Sequence, residues 1–308
     1  MNIPWIEKYR PSTLDEIVGN QAVIEVFKIL AEEESMPHLI ITGSPGIGKT
    51  TVAHAFLNRV FEDKPGLRKE CVLEMNASDE RGVDVVRVKI KGFLQKKLTY
   101  NRFLALDESD SMTMQAQQSM RRLLERHESA KFIFICNDIS KISDTIQSRC
   151  AILRLSPLSY EEISQILRKT IEKEGMTVCD KSIATIAETS DGDARQALNL
   201  LQTLAAISKN VDLGMVQRMS HIPPIDTISR IFSKESTEKE AFTLLDGLFE
   251  DGYSSEDISK MIFRLGKDRG EIALLEKASS LLMKLADSSS KVHFYSALAE
   301  YKTALLQV

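Results

Sequence analysis

Cysteine and histidine are scarce in this sequence, and neither is arranged for metal or disulfide chemistry. The four cysteines among 308 residues, Cys71, Cys136, Cys150 and Cys179, stand far apart and form no CxxC pair. That excludes a small disulfide-stapled scaffold and leaves free, buried thiols of a reducing compartment as the expectation. The five histidines form no HExxH motif and pair with no cysteine, so no structural zinc site is expected. Long apolar runs are also missing. Nothing approaches the roughly 18 residues of a membrane span, and no membrane partner is expected. The opening "MNIPWIEKYRP" carries Pro4 and early charges in place of the apolar core of a secretory signal. Nor is positive charge in excess. The net charge of −4 argues against a surface coated in cations, though not against a local basic groove.

What is present is the mix of a globular protein, 43% hydrophobic and 27% charged, in a chain long enough for two or three domains. The first half alternates short apolar runs with longer amphipathic ones. "HLIITG" (38–43), "CVLEMN" (71–76), "RFLALD" (102–107), "KFIFICN" (131–137) and "CAILRL" (150–155) read as buried strands. Helical spacing between them predicts an α/β fold: a parallel sheet with helices on both faces. After "SPLS" (156–159) the strand signals stop. Ser159 and Glu162 form a capping box ahead of a helix that Gly175 ends. A second helix follows Asp180, and a third runs from about Asp193 to Ser208. "HIPPID" (221–226) marks a linker, and beyond it helices are predicted near 236–250, 255–265, 271–286 and 291–307. The expected domains are an α/β base at 1–156, a small helical domain at 157–221 and an all-helical domain at 222–308.

"GSPGIGKT" (43–50) fits GxxxxGK[ST] and lies between an apolar run and a helical segment, the strand–loop–helix setting this motif requires. Glycines let backbone N–H groups turn toward phosphate oxygens, and the helix N-terminus adds partial positive charge. Lys49 would bridge β- and γ-phosphates, and the Thr50 hydroxyl would ligate Mg²⁺. The alternative is a glycine-rich turn that binds nothing. "FLALDES" (103–109) ends a strand in two acids. Asp107 would hold the metal with Thr50, and Glu108 would orient or deprotonate the attacking water. A solvated strand end is the competing explanation. Asn137, at the end of another parallel strand, would reach the same edge and contact the attacking water or γ-phosphate, unless it only forms a turn. Arg195 falls in the first turn of a helix capped by Asp193, where a cation opposes the helix dipole. An anion in front of that helix would reverse the sign; pairing with Asp191 or Asp193 would serve as well. Arg149, in "DTIQSRC" (144–150), either pairs with a nearby acid or reaches beyond its own fold.

Together these segments resemble the AAA+ ATPases, and within them the clamp loaders. "PWIEKYRP" (4–11) and "IVGN" (17–20) look like adenine-site boxes. "LEMNASDERGVDVVR" (73–87), "LDESDSMT" (106–113), "QAQQSMRR" (115–122), "IQSRC" (146–150) and "GDARQALN" (192–199) look like boxes of the replication factor C small subunits. "MPHLIITGSPGIGKTT" (36–51) is similar to the branch numbered 2 in one naming scheme and 4 in another. The resemblance runs in order from residue 3 to about 205 and is weaker beyond.

It implies ATP and Mg²⁺ as cofactors and an AAA+ base, a helical lid and a helical collar. Ile6, Arg10 and Val18 would line the adenine pocket. Gly43, Ser44, Pro45, Gly46, Ile47, Gly48, Lys49, Thr50 and Thr51 would cradle the phosphates. Asn137 would be sensor 1 and Arg195 sensor 2. Arg149 would be an arginine finger aimed at the ATP of an adjacent subunit, so that it needs no partner in its own chain. The implied partners are other clamp-loader subunits in a heteropentamer, a sliding clamp and primer–template DNA, in a nucleus (or cytoplasm, where the source has none). Two departures, Ser109 in "DESD" and Ser44 with Ile47 in the phosphate loop, touch no catalytic role. The sequence ends early for the family, which suggests a trimmed C-terminus.

From Arg87 to Arg102 there are six cations, Arg87, Lys89, Lys91, Lys96, Lys97 and Arg102, and no acid. Arg87 and Lys91 share a helix face, as do Arg122 and Arg126 on the next helix. Like charges four apart repel unless an anion lies across them, and a phosphate backbone supplies one without reading bases. A solvated helix face is the plainer explanation. The resemblance adds Arg81 and puts these helices along a central DNA channel. Met112 and Met114 read as core residues, with a clamp-docking role as the alternative. Other readings of the chain are a helicase-type or origin-initiator ATPase, or a scaffold that binds ATP without turnover.

Overall fold

The computed structural model describes residues 3–33, 35–77, 83–95, 100–127, 129–219, 223–233, 236–287 and 291–306. Side chains at 83–88, 286–287 and 304–306 lie outside that description. The chain forms two compact units, Met1–Asn210 and Val211–Val308.

The first unit is built on five strands: β1 His38–Thr42, β2 Val72–Asn76, β3 Arg102–Asp107, β4 Ala130–Cys136 and β5 Cys150–Arg154. They are all parallel, in the order β2-β3-β4-β1-β5. Period-2 burial explains why these runs are apolar throughout. Leu39, Ile41, Phe103, Ala105, Ile133 and Ile135 enter the core on one face. Ile40, Leu104, Leu106, Phe132 and Phe134 enter the core on the other. A strand covered on both faces needs apolar residues at every position.

The first face packs on α2 (Gln21–Glu32) and α3 (Lys49–Val60), through Ile24, Phe27, Val52 and Phe56. A short α1 (Trp5–Lys8) precedes them, and α4 (Pro65–Cys71) follows. The second face packs on α5 (Val83–Gln95) and α6 (Met114–Arg126), through Ile90, Phe93, Met120 and Leu123. A one-turn α7 (Asp144–Gln147) leads into β5. Because all strands run one way, their C-terminal ends share an edge.

Three helices complete the unit: α8 Tyr160–Glu174, α9 Asp180–Thr189 and α10 Ala194–Ile207. The expected capping box opens α8: Ser159 N–H donates to Glu162 at 2.7 Å, and Glu162 N–H donates to Ser159 Oγ at 3.2 Å. Gly175 ends it in the left-handed region, at φ 62°. Asp193 caps α10 as expected, its Oδ1 accepting from the N–H groups of Arg195 at 2.8 Å and Gln196 at 3.0 Å.

Some local expectations need correction. Cys71 closes helix α4, which starts at Pro65 and was not anticipated; β2 begins only at Val72. Strand structure does not stop after 159. Two-residue strands occur at Thr177–Val178 and Asn210–Val211, too short for any periodicity to register. Cys179 is exposed at the cap of α9 and Cys150 is half-buried, so only Cys71 and Cys136 match the expectation of buried thiols.

The second unit is helical: α11 Leu213–Met219, α12 Ile225–Ile231, α13 Glu238–Glu250, α14 Ser255–Arg269, α15 Ile272–Asp287 and α16 Val292–Leu306. The expected helices do not include α11, and α12 starts inside the expected linker at 221–226, its first intrahelical bond running from the Ile228 N–H to the Pro224 carbonyl at 3.1 Å. Ile228, Leu245, Ile262, Leu274, Phe294 and Leu298 form its core.

Candidate active site

The glycine-rich loop between β1 and α3 wraps the N-terminus of α3. Gly46 adopts φ 72°, and a Cβ there would lie 1.8–2.3 Å from the carboxylate atoms of Asp193. Only glycine combines that backbone with that approach. Lys49 is 7% exposed, and its Nζ donates to the carbonyls of Gly43 at 2.8 Å and Ser44 at 2.6 Å. Burial pushes the Lys49 amine below its usual pKa, partly offset by Asp107. This is a cation held in a low-dielectric cradle with carbonyls as its present acceptors.

Asp107 ends β3. Its Oδ2 accepts from Thr50 Oγ1 at 2.8 Å, and its Oδ1 accepts from the Glu108 N–H at 2.8 Å. Glu108 is held in the left-handed region, at φ 52°. A non-glycine residue there is strained, and such strain persists where surrounding structure fixes it. The following Ser109 is fully buried, and its hydroxyl donates to the Leu106 carbonyl at 2.7 Å. Ser109 therefore has its hydroxyl satisfied inside the fold.

A cavity of 710 Å³ lies over this edge. Pro45, Gly46, Ile47, Gly48, Lys49, Thr50 and Thr51 line its floor, with Asp107, Glu108 and Asn137 beside them. Ile6, Arg10 and Val18 line it from the N-terminal segment, and Arg195 from α10. Gly43 and Ser44 are not in the lining; they serve through the carbonyls that Lys49 meets. Among the described residues no carboxylate lies within ion-pair distance of the Arg195 guanidinium, so the alternative pairing with Asp191 or Asp193 is not what the structure contains. Asp193 instead accepts from the Arg195 backbone N–H.

The Thr50 hydroxyl and Asp107 carboxylate form an all-oxygen pair beside Lys49, which is the donor chemistry of a Mg²⁺–phosphate site. The residues present therefore fit the cofactors the sequence implied.

Arg149 stands apart from the cavity lining. It does have partners in its own chain: Nη2 donates to Glu125 Oε1 at 2.9 Å and Nη1 to the Thr145 carbonyl at 2.8 Å. Two further residues carry the site without any signal in the sequence pattern. Asp110 Oδ2 accepts from the N–H groups of Asn137 at 3.2 Å and Asp138 at 3.3 Å, which fixes where Asn137 leaves β4. Gln117, 1% exposed, donates to the carbonyls of Met112 and Lys141 and accepts from the Ser143 N–H at 2.7 Å.

Lys91, Arg122 and Arg126 are exposed on α5 and α6. The side chain of Arg87, all of Arg81, and Lys96 and Lys97 lie outside the described residues. Arg102 leaves the basic face: it is 8% exposed and donates to Ser129 Oγ at 3.0 Å. Met112 packs on the core as expected, whereas Met114 is 62% exposed.

A phosphate loop at the end of a central parallel strand, an Asp-Glu pair beside it and a helical lid define a nucleotide-binding ATPase. Residues 39–158 match the family model of the ATPase family associated with various cellular activities (AAA), and residues 165–206 match that of the RCF1/5-like AAA+ ATPase lid domain. The chain is 37% identical to replication factor C subunit 4 of Encephalitozoon cuniculi, covering 94% of both chains. It is 42% identical to replication factor C subunit 4 of Schizosaccharomyces pombe, over 88% of this chain and 80% of that one. It is 39% identical to the replication factor C small subunit of Methanococcus vannielii, over 97% and 92%. In fold it is similar to the Thermotoga maritima RuvB Holliday junction branch migration motor, with a TM-score of 0.58, 16% identity, and coverage of 77% of this chain and 85% of that one.

The chain belongs to the replication factor C small-subunit family of AAA+ ATPases. It is an ATPase of the clamp-loader class, which serves DNA replication. Among the described residues no helix is long and apolar enough to cross a membrane.

Proposed function

We propose that this chain is one ATPase subunit of a heteropentameric clamp loader that opens a sliding clamp and places it on primer–template DNA. Residues 1–156 act as the base, 157–221 as the lid and 222–308 as the collar that holds the ring of subunits. The complex works in the nucleus, or in the cytoplasm of a source without one.

ATP lies in the cavity with its base against Ile6, Arg10 and Val18 and its phosphates over the loop from Gly43 to Thr51. Lys49 exchanges its carbonyl acceptors for β- and γ-phosphate oxygens, which are stronger acceptors because they are charged. Thr50 and Asp107 hold Mg²⁺, which supplies charge neutralisation at the phosphates. Glu108 orients and deprotonates the attacking water, Asn137 positions it, and Arg195 closes the lid on the γ-phosphate. Arg149 completes the ATP site of the adjacent subunit. Lys91, Arg122 and Arg126, with Arg81 and Arg87, meet the DNA backbone.

The observation that carries this reading is the division of labour in the geometry. Lys49, Thr50, Asp107, Glu108, Asn137 and Arg195 share one cavity, and Arg149 lies outside its lining. The test is Glu108→Gln in the assembled complex. ATP binding should persist while turnover at this site is lost; unchanged turnover at this site would remove Glu108 from its role. A tagged pull-down with partners identified by mass spectrometry should recover four other AAA+ subunits.

A further inference from the structure

Two further stretches of chain line the cavity: the N-terminal segment around α1, and Ile166, Lys169, Thr170 and Lys173 of lid helix α8. They are joined at one carboxylate. Glu174 is the last residue of α8, where an acid opposes the helix dipole. A carboxylate in that position is accounted for by partners outside its helix. Tyr9 Oη donates to Glu174 Oε1 at 2.5 Å, within the range of charge-assisted hydrogen bonds. Lys8 Nζ donates to the same oxygen at 2.7 Å. The neighbouring Lys173 lies over the Tyr9 ring, 5.5 Å from its centroid. Lys8 and Tyr9 together hold the Glu174 carboxyl below the usual carboxylate range. A second tie runs to the helix of Arg195: the Trp5 N–H donates to Gln202 Oε1 at 3.0 Å.

We propose that Glu174 is a positioning residue for nucleotide binding, latching the lid to Lys8 and Tyr9 so that lid closure and ordering of the base-binding wall are one equilibrium. The chain immediately around the latch lines the cavity: Lys8, Tyr9 and Arg10 on one side, Lys169 and Lys173 on the other. With the latch closed, the segment bearing Ile6 and Arg10 is held in its bound arrangement before ATP arrives. Affinity then carries no further ordering cost. With the latch cut, each ATP must order the segment itself. That lowers apparent affinity by the fraction of time the wall is formed. The loop at 43–51 is itself fixed by β1 and α3, so the phosphate end feels the latch only through the lid, at Arg195. The inference rests on the reading of Ile6, Arg10 and Val18 as the base wall.

The experiment titrates ATP and, separately, inorganic tripolyphosphate into the full chain, each with Mg²⁺, for the parent, Tyr9→Phe, Glu174→Ala and the double variant. Each single variant should weaken ATP about three- to tenfold, the net scale of one ordinary, solvent-screened hydrogen bond. Tripolyphosphate binding should weaken by less than ATP binding, since it reaches the latch only through Arg195 on the lid. The double variant should be no weaker than the weaker single, because both cut the same bond. In the assembled complex, KM for ATP at this site should rise with kcat unchanged. If neither ligand is weakened, the latch is overturned while the base wall stands. If both ligands weaken equally, the segment does not hold the base, and the proposal falls together with that wall assignment.

Discussion

The guanidinium of Arg149 is bound to the carboxylate of Glu125, 2.9 Å away, and Arg121 Nε donates to the same oxygen at 3.1 Å. Arg149 and Glu125 side chains are 37% and 40% exposed, so solvent screens the pair and its net strength is modest. A bond that weak fixes a direction without consuming the charge. On the proposed role of Arg149, a γ-phosphate of the adjacent subunit would have to outcompete only this one screened carboxylate. The Thr145 carbonyl, accepting at 2.8 Å, keeps the guanidinium plane oriented meanwhile.

Replacing Arg149 by Ala should therefore leave ATP binding by this chain intact and lower hydrolysis at the adjacent subunit's site. The scale of a missing arginine finger is about a thousandfold or more. The measurement is single-turnover hydrolysis in a complex where only that neighbouring site is competent. Arg149→Lys should not restore the rate, since an ammonium lacks the planar fork. Loss of this chain's own nucleotide binding in Arg149→Ala would instead place the residue in cis.

Gly46 and Asp193 join the phosphate loop to the lid by contact rather than by a bond. A Cβ at Gly46 would sit on the Asp193 carboxylate, and that carboxylate caps the helix bearing Arg195. Gly46→Ala therefore both strains a left-handed backbone and displaces a helix cap. The expected loss is about 2 kcal/mol of stability, from about 1 for the backbone and about 1 for the cap. ATP affinity should fall by at least about tenfold as the loop moves off its phosphate-binding shape. Calorimetric binding and thermal melts of the same preparation check both. Asp193→Asn, which keeps an acceptor for the cap, should melt close to the parent.

How much of this was legible in sequence depended on how local the cause was. β1 to β5 were readable because a strand buried on both faces must be apolar at every position. The phosphate loop, Asp107 and Asn137 were readable because glycine spacing and strand ends are local patterns. The α8 capping box and the Asp193 cap were equally local. Asp110, Glu125 and Glu174 were not readable as site residues. Their partners are 27, 24 and 165 residues away, and surface acids look alike in sequence. Glu174 and Glu125 each left a trace, an acid in the last turn of its helix. Arg102 shows the opposite failure: a cation counted in a basic run is turned inward to Ser129.

Arg122 and Arg126 lie four residues apart on α6, both exposed, and neither has an ion-pair partner among the described residues. Arg121 beside them is paired with Glu125 and serves as an internal control. In the assembled complex Arg122→Ala and Arg126→Ala should each weaken binding to a primed duplex equally across sequences. Each should also reduce the slope of log affinity against log salt by about 1. Arg121→Ala should change that slope little. A sequence-dependent loss would assign base contacts rather than backbone contacts.

His38, at the start of β1, makes the base domain sensitive to acid. Its Nδ1 accepts from the Phe132 N–H at 3.3 Å, a bond that protonation of that nitrogen destroys. Burial, reinforced by Lys131, lowers its pKa to about 4 from an ordinary 6.5. The unfolded chain therefore binds the proton more readily than the folded one. The stabilisation is complete above pH 6.5 and is lost as pH falls from there to about 4. The scale is about 1–3 kcal/mol. Urea unfolding followed through Trp5, the only tryptophan and a residue of the same unit, reads this directly. Parent stability should drop between about pH 7 and about pH 4.5 by more than that of His38→Gln, whose amide oxygen can still accept but does not titrate. Carboxylates elsewhere contribute equally to both proteins and cancel in the difference. Parallel pH profiles would show that His38 is protonated as easily folded as unfolded, and that β4 at Phe132 does not depend on it.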